Sequence, residues 1–318
     1  MSERTYTATL SRFVAPDGLP LYFEWWMPQV PKAILVVVHG IGEHSGRYGP
    51  FVRHFAPRGF GVALYDQRGH GQSGGRRGHI DHFQDLLSDL AAFIQRTQDA
   101  HPGVPIFLVG HSFGGQIALN FVVRYAKGLR GLIVSSPNIV LKMKIARWKR
   151  WISNYAERLV PTLLLRQEIN AAWLTHDAAV VARYQSDPRI VRSFTVQTAM
   201  EILRNQDVVM ALASRIHLPA LFLHAGDDKV CCPEATRSFF RRVPVARKRL
   251  KIYDGFYHEI FNEIDCAQVF CDMEHWLNEQ GLDERSHAGS GDTERAVETN
   301  ASRRIVIERD ERWMGGVP

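Results

Sequence analysis

The stretch Ile106-Phe107-Leu108-Val109-Gly110-His111-Ser112-Phe113-Gly114-Gly115 decides the fold. Ile106–Val109 is a short continuous apolar run that suits a strand buried on both faces. Phe113–Tyr125 continues with helical character, so Gly110–Gly114 is a G-x-S-x-G pentapeptide between a strand and a helix. A sharp turn there holds the serine in a strained conformation with its oxygen exposed. The flanking glycines let strand and helix approach without a Cβ clash, and the helix N-terminus favours negative charge beside the serine. Ser112 is therefore expected to be a nucleophile. The competing reading is a serine that merely shapes the turn.

Outward from this point the same grammar repeats. Apolar runs rich in β-branched residues recur at Ala33–Val38, Gly61–Tyr65, Gly131–Val134, Ala220–Leu223 and Leu250–Tyr253. Phe83–Thr97 and Ala267–Leu277 carry helical periodicity between them. Tyr6–Val14 and Leu21–Met27 flank the turn residues Pro16, Asp17 and Gly18 and read as a hairpin. Strands alternating with helices predict an α/β protein with a mainly parallel, doubly wound sheet. Between Asn138 and Arg215 strand signals vanish and helical periodicity dominates. The expected organisation is a core from 1–137 and 216–282, a helical cap inserted at 138–215, and a disordered polar tail over 283–318 with a short ordered end near Ile305–Ile307.

Composition narrows the class. The 318 residues are 45% hydrophobic and 23% charged, enough for a substantial core without disulfides or metals. No apolar run approaches the length of a membrane span, and the N-terminal segment does not read as a secretory signal. Cys231, Cys232, Cys266 and Cys271 lack a repeated C-x-x-C pattern and read as reduced thiols of a cytoplasmic protein. The net charge of +6 is mild and local, with seven Lys or Arg against Glu157 alone between Lys142 and Arg166. No nucleic-acid motif accompanies it, and a nucleic-acid partner is not expected.

A serine nucleophile needs a base, and the base an orienting carboxylate. In this architecture the order is Ser, acid, His. Of fourteen histidines only His258, His275 and His287 follow the last plausible acid position. His287 lies in the polar tail and His275 in a helix. His258 follows the strand Leu250–Tyr253 in a loop containing Gly255, at the strand edge where such sheets place active sites. The acid should follow Ala220–Leu223, where His224-Ala225-Gly226-Asp227-Asp228 offers two aspartates. Asp228 is the favoured one and Asp227 the alternative. The oxyanion hole needs two backbone N–H groups. Phe113 supplies one and Ile41, in the loop His39–Tyr48, the other. In that loop His39 and His44 are expected to brace by hydrogen bonding, and Glu43 to pair with Arg47.

Together these stretches resemble the α/β-hydrolase fold, and within it the monoacylglycerol lipase and lysophospholipase group. The resemblance rests on HGIGEHSGRY (His39–Tyr48), DQRGHGQSGGRRGHI (Asp66–Ile80), GHSFGG (Gly110–Gly115), GDDKVC (Gly226–Cys231) and YDGFYHEIFNE (Tyr253–Glu263), and covers roughly Thr9 to Gly281. It implies Ser112 as nucleophile, Asp228 as acid, His258 as base and the Ile41 and Phe113 amides as the oxyanion hole. It also places Cys231 where some relatives carry a reactive cysteine. The implied activity is hydrolysis of monoacylglycerol-like esters, with lysophospholipids as the alternative, a peptidase or a non-enzymatic binding protein on the same scaffold ranking below, and with no metal or cofactor. Oligomeric state is not legible. In the cap, Trp148, Trp151, Ile152, Tyr155 and Leu159 recur at helical spacing beside Lys142, Lys144, Arg147, Lys149, Arg150 and Arg158. This pattern suits either peripheral contact with a lipid surface or packing onto the sheet domain.

Overall fold

A computed structural model describes residues 6–142, 158–167, 169–282 and 303–306. Among these, nine strands form one sheet: β1 (Tyr6–Val14), β2 (Pro20–Pro28), β3 (Ala33–Val38), β4 (Phe60–Tyr65), β5 (Ile106–His111), β6 (Leu129–Ser135), β9 (Ala220–Ala225), β10 (Lys248–Tyr253) and β11 (Arg303–Val306). The spatial order is β10-β9-β6-β5-β3-β4-β2-β1-β11. From β10 to β4 all pairings are parallel, and β2, β1 and β11 continue the sheet antiparallel.

The continuous apolar runs are explained by burial on both faces. In β3, Ile34, Val36 and Val38 join one hydrophobic cluster and Ala33, Leu35 and Val37 the other, with every residue at most 1% exposed. A side chain that points up meets α2 (Phe83–Ala100) and α3 (Phe113–Tyr125). One that points down meets α1 (Gly49–Phe55) and α7 (Cys266–Asn278). A strand in this position has no polar face, which erases the alternation of a half-exposed strand.

Between β6 and β9 the chain leaves the sheet. It forms α4 (Ala178–Ser186), α5 (Val196–Val209) and several single turns. It also forms a two-stranded antiparallel sheet, β7 (Leu164–Arg166) with β8 (Ser193–Thr195). This corrects the reading of that excursion as free of strands; pieces of three residues are too short to display a period. The strand at Arg303–Val306, paired with Thr7–Leu10 of β1, overlaps the short ordered end expected near Ile305–Ile307. Strand β10, α6 (Pro233–Arg242) and α7 follow the expected alternation. Among the described residues no helix is long and apolar enough to cross a membrane.

Candidate active site

Ser112 sits between β5 and α3 with φ 52° and ψ −116°, a left-handed conformation for a residue bearing a Cβ. Such strain costs on the order of 1–3 kcal/mol and persists only where the surroundings enforce it. Here the Ser112 amide donates to Ser135 O at 2.9 Å, and Ser112 O accepts from Gln116 N at 3.1 Å and Asn138 N at 2.9 Å. The glycines are steric requirements. A Cβ on Gly114 would run into the Val38 and His39 carbonyl oxygens, and one on Gly110 would meet Ala118 Cβ at 2.8 Å.

His258 lies in the loop after β10, with Nε2 2.9 Å from Ser112 Oγ and Nδ1 2.8 Å from Asp228 Oδ2. Asp228 is fully buried just beyond β9. Its Oδ1 accepts from the Val230 amide at 2.7 Å and the Cys231 amide at 2.9 Å. Of the two candidate aspartates, the structure brings Asp228 to the histidine and leaves Asp227 exposed at the turn. Burial opposes the Asp228 charge, but His258 and the neighbouring His224 outweigh it and hold the carboxyl far below the usual range. His224 Nε2 comes within 3.2 Å of Asp228 Oδ2 without the alignment of a hydrogen bond, while its Nδ1 contacts Thr236 Oγ1 at 2.9 Å. Burial likewise opposes the imidazolium of His258. Asp228, with smaller help from Glu259 and Glu43, overcomes it and raises the pKa above its ordinary value.

A second histidine, His111, lies with its ring centroid 5.0 Å from that of His258, the rings tilted by 48°. Burial and then the charge of His258 push it down to about 4. It therefore remains neutral in the range where His258 titrates, and its Nδ1 contacts Ser135 Oγ at 3.1 Å. Cys231 adjoins Ser112 and Asp228, and burial together with Asp228 pushes its thiol well up. Asp228, Cys231 and His258 offer donor atoms within 4.8 Å of one another. Asp228 and His258 are already engaged with each other and the Cys231 thiol is pushed up by burial, so the cluster fits a carboxylate–histidine pair better than an ion site.

The loop His39–Tyr48 runs beside the serine. A Cβ on Gly40 would be 3.3 Å from Ser112 Cβ and 3.0 Å from Glu43 Oε1. Glu43 is buried, its Oε1 accepting from the Gly40 amide at 2.5 Å and Tyr48 Oη at 2.9 Å. Burial opposes its charge, yet Arg47, His111 and His39 bring its carboxyl to about 2. The expected Glu43–Arg47 pair is present at 3.0 Å. Arg47 further makes a bidentate contact with Glu259, at 2.5 and 2.7 Å, and lies over the Tyr184 ring. The loop His39–Tyr48 is thus tied to the loop carrying His258, a link spanning 212 residues that no local pattern announces. His39 bridges Gly40 O and the Gln67 amide, and His44 Nε2 lies 3.0 Å from Asp187. Phe113 opens α3, at a position where no intrahelical carbonyl reaches its amide. Ile41 follows Gly40 in the same loop and packs, partly buried, against the hydrophobic cluster on the α2 and α3 side of the sheet.

A parallel sheet carrying a left-handed serine at a strand–helix turn, with a histidine and a buried aspartate delivered by the last two core strands, defines the α/β-hydrolase class. A family model described as serine aminopeptidase, S33, matches residues 29–265, and the chain belongs to that family. It is 34% identical to an uncharacterised abhydrolase domain-containing protein of Dictyostelium discoideum over 86% of this chain; the chain spans only 29% of that relative. It is 30% identical to the monoglyceride lipase of Homo sapiens, covering 85% of this chain and 91% of that one. The crystal structure of Paleococcus ferrophilus monoacylglycerol lipase superposes with a TM-score of 0.75 at 29% identity, covering 82% of this chain and 99% of the other. The chain is an α/β-hydrolase of the monoacylglycerol lipase group.

Proposed function

We propose that this chain is a carboxylic ester hydrolase that cleaves monoacylglycerol-like lipids through an acyl-enzyme. The observation that carries this reading is the hydrogen-bonded series Ser112–His258–Asp228, at 2.9 and 2.8 Å. Ser112 Oγ attacks the ester carbonyl while His258 Nε2 takes its proton. Asp228 fixes the tautomer and stabilises the imidazolium. The Phe113 and Ile41 amides receive the oxyanion. His258 then protonates the departing alcohol, and a water activated by the same nitrogen hydrolyses the acyl-enzyme.

The excursion 138–215 acts as the cap over this site. Leu159, Val160, Leu163, Leu164 and Leu165 are exposed within one stretch bounded by Arg158 and Arg166. An apolar run beside cations suits a lipid surface, where each basic residue adds about 1 kcal/mol to binding. Of the expected stripe, Leu159 belongs to this run; Trp148, Trp151, Ile152 and Tyr155 lie outside the described residues. A hydrolysis panel of monoacylglycerols, lysophosphatidylcholine and short p-nitrophenyl esters tests the substrate class. Turnover of lysophosphatidylcholine above every monoacylglycerol would replace the glycerolipid reading. Wild type sedimenting equally with neutral and anionic vesicles would remove the electrostatic part of the surface contact.

A further inference from the structure

The loop carrying His258 is held by the excursion between β6 and β9 as well as by the core. The Glu259 amide donates to Leu174 O at 2.8 Å and the His258 amide to Trp173 O at 3.4 Å. Beneath this pairing lies Glu263, its side chain 3% exposed. Its Oε1 accepts from the Tyr257 amide at 2.8 Å and from His176 Nδ1 at 2.8 Å. Its Oε2 accepts from the His176 amide at 3.1 Å and the Ile264 amide at 3.3 Å, with the Thr175 hydroxyl at 3.2 Å. The His176 ring stacks on Tyr257 with centroids 3.7 Å apart. The Tyr257, His176 and Ile264 amides and His176 Nδ1 thus face the carboxylate as donors, while the Thr175 hydroxyl shares its proton between Glu263 and Asn262 O, the latter at 2.9 Å. One side belongs to Thr175 and His176, the other to Tyr257, the residue before His258.

We propose that Glu263 is a positioning residue for His258, pinning the histidine turn to the cap segment Trp173–His176 so that the docked cap is part of the catalytic frame. The proposal rests on reading His258 as the base. Its physical basis is that a buried carboxylate with two acceptor oxygens can satisfy donors from two segments at once, whereas an uncharged side chain of the same shape cannot. A glutamine amide that keeps its oxygen toward Tyr257 turns its NH₂ toward the His176 amide. The flipped amide releases Tyr257 instead. Glu263→Gln therefore preserves volume and breaks one half of the tie.

The test compares wild type, Glu263→Gln and His258→Ala on a short p-nitrophenyl ester well below the melting temperature. It adds the low-field proton resonance of the His258 Nδ1 proton shared with Asp228. The expected result for Glu263→Gln is a fall in kcat of about tenfold or more with KM little changed, since a misplacement near 1 Å can cost about 10²-fold. The low-field resonance should shift or broaden in parallel. Turnover within about tenfold of wild type, or an unchanged resonance in a variant that merely melts earlier, would overturn the proposal. If Glu263→Gln does not fold, Glu263→Asp is read in the same way, because it keeps the charge but shortens the reach. His258→Ala separates the two readings. An active His258→Ala removes the triad itself, whereas an inactive one beside a fully active Glu263→Gln removes only the role of Glu263.

Discussion

Replacing Asp228 by asparagine changes one atom, and the surroundings dictate which way the new amide faces. Asp228 Oδ1 accepts two main-chain amides, Val230 and Cys231, at 2.7 and 2.9 Å, whereas Oδ2 meets His258 Nδ1 at 2.8 Å. Placing the NH₂ at the Oδ1 position would leave two buried donors unsatisfied, about 1–3 kcal/mol each. That penalty fixes the amide with its oxygen on the main chain and its NH₂ toward His258. The imidazole must then present a bare Nδ1 and carry its proton on Nε2, where it cannot accept from Ser112. The expected loss in kcat is on the order of 10⁴-fold, or about 5.5 kcal/mol in the barrier. Asp227→Asn alters an exposed turn residue and should stay within about a few-fold of wild type. The assay is p-nitrophenyl ester turnover for both variants, with the melting temperature confirming that each is folded. An Asp228→Asn enzyme retaining more than about a tenth of wild-type kcat, or one less damaged than Asp227→Asn, would refute this account of the acid.

Ser112→Ala should abolish both ester turnover and fluorophosphonate labelling, a loss on the order of 10⁶-fold, checked by gel fluorescence on the folded variant. Because His258 must be neutral to accept a proton and its pKa is raised, kcat/KM should climb through an apparent pKa above the ordinary 6.5. The linked stability runs the other way. The raised His258 stabilises the fold most at pH below its ordinary value and less as pH rises through the folded one, while the depressed Asp228 stabilises above the ordinary 3.8 and loses this as pH falls. Read as the calorimetric difference between wild type and His258→Ala, the His258 contribution should decline over the pH span in which kcat/KM rises, whereas the buried His39, His70 and His111, whose pKa values burial lowers, act with the opposite sign in both proteins. Gly114→Ala should fail to accumulate as folded protein, since its Cβ has no room beside the Val38 and His39 carbonyls; a soluble, active variant would contradict that packing. Truncation after Leu282 removes the strand paired with Thr7–Leu10 and bares the β1 edge. Activity should persist, with a small drop in melting temperature by scanning fluorimetry.

What could be read from the sequence was what local pattern encodes. Ala33–Val38 has the same bounds as the strand because both of its faces are buried and nothing polar interrupts it. Ser112, Asp228 and His258 were legible because each sits at the end of such a strand, where topology directs them to one edge. The pairing of Arg47 with Glu43 is also local, four residues apart. Its pairing with Glu259 is not, and neither is the gathering of Thr175, His176 and Tyr257 around Glu263. Those contacts depend on how the excursion between β6 and β9 lies across the core. Strands β7 and β8 leave no pattern in the sequence for a related reason. They exist through pairing with each other across nearly thirty residues of chain, not through any preference displayed in three.

The placement of that excursion has a mechanistic consequence. It grips the loop His39–Tyr48 on one side, through the Val191 amide on Gly42 O at 2.8 Å and Asp187 on His44 at 3.0 Å. Gly42 has φ 81°, and a Cβ there would press on the Val191 carbonyl at 3.0 Å. It grips the histidine loop on the other side, through Leu174 O and the donors around Glu263. Arg47 and Glu259 close the circuit between the two loops. A segment with this attachment cannot act only as a roof that selects substrates. With His258 as the proposed base and the Ile41 amide as the proposed oxyanion donor, loosening either grip moves a group that must meet the reacting carbonyl within a fraction of an ångström, and such displacement is paid in kcat, whereas a change confined to the pocket lining shows in KM. Substitutions in the excursion should therefore divide by what they touch: those at Asp187, Val191 or the Glu263 cluster slow turnover on every ester, and those facing substrate redistribute preference among esters.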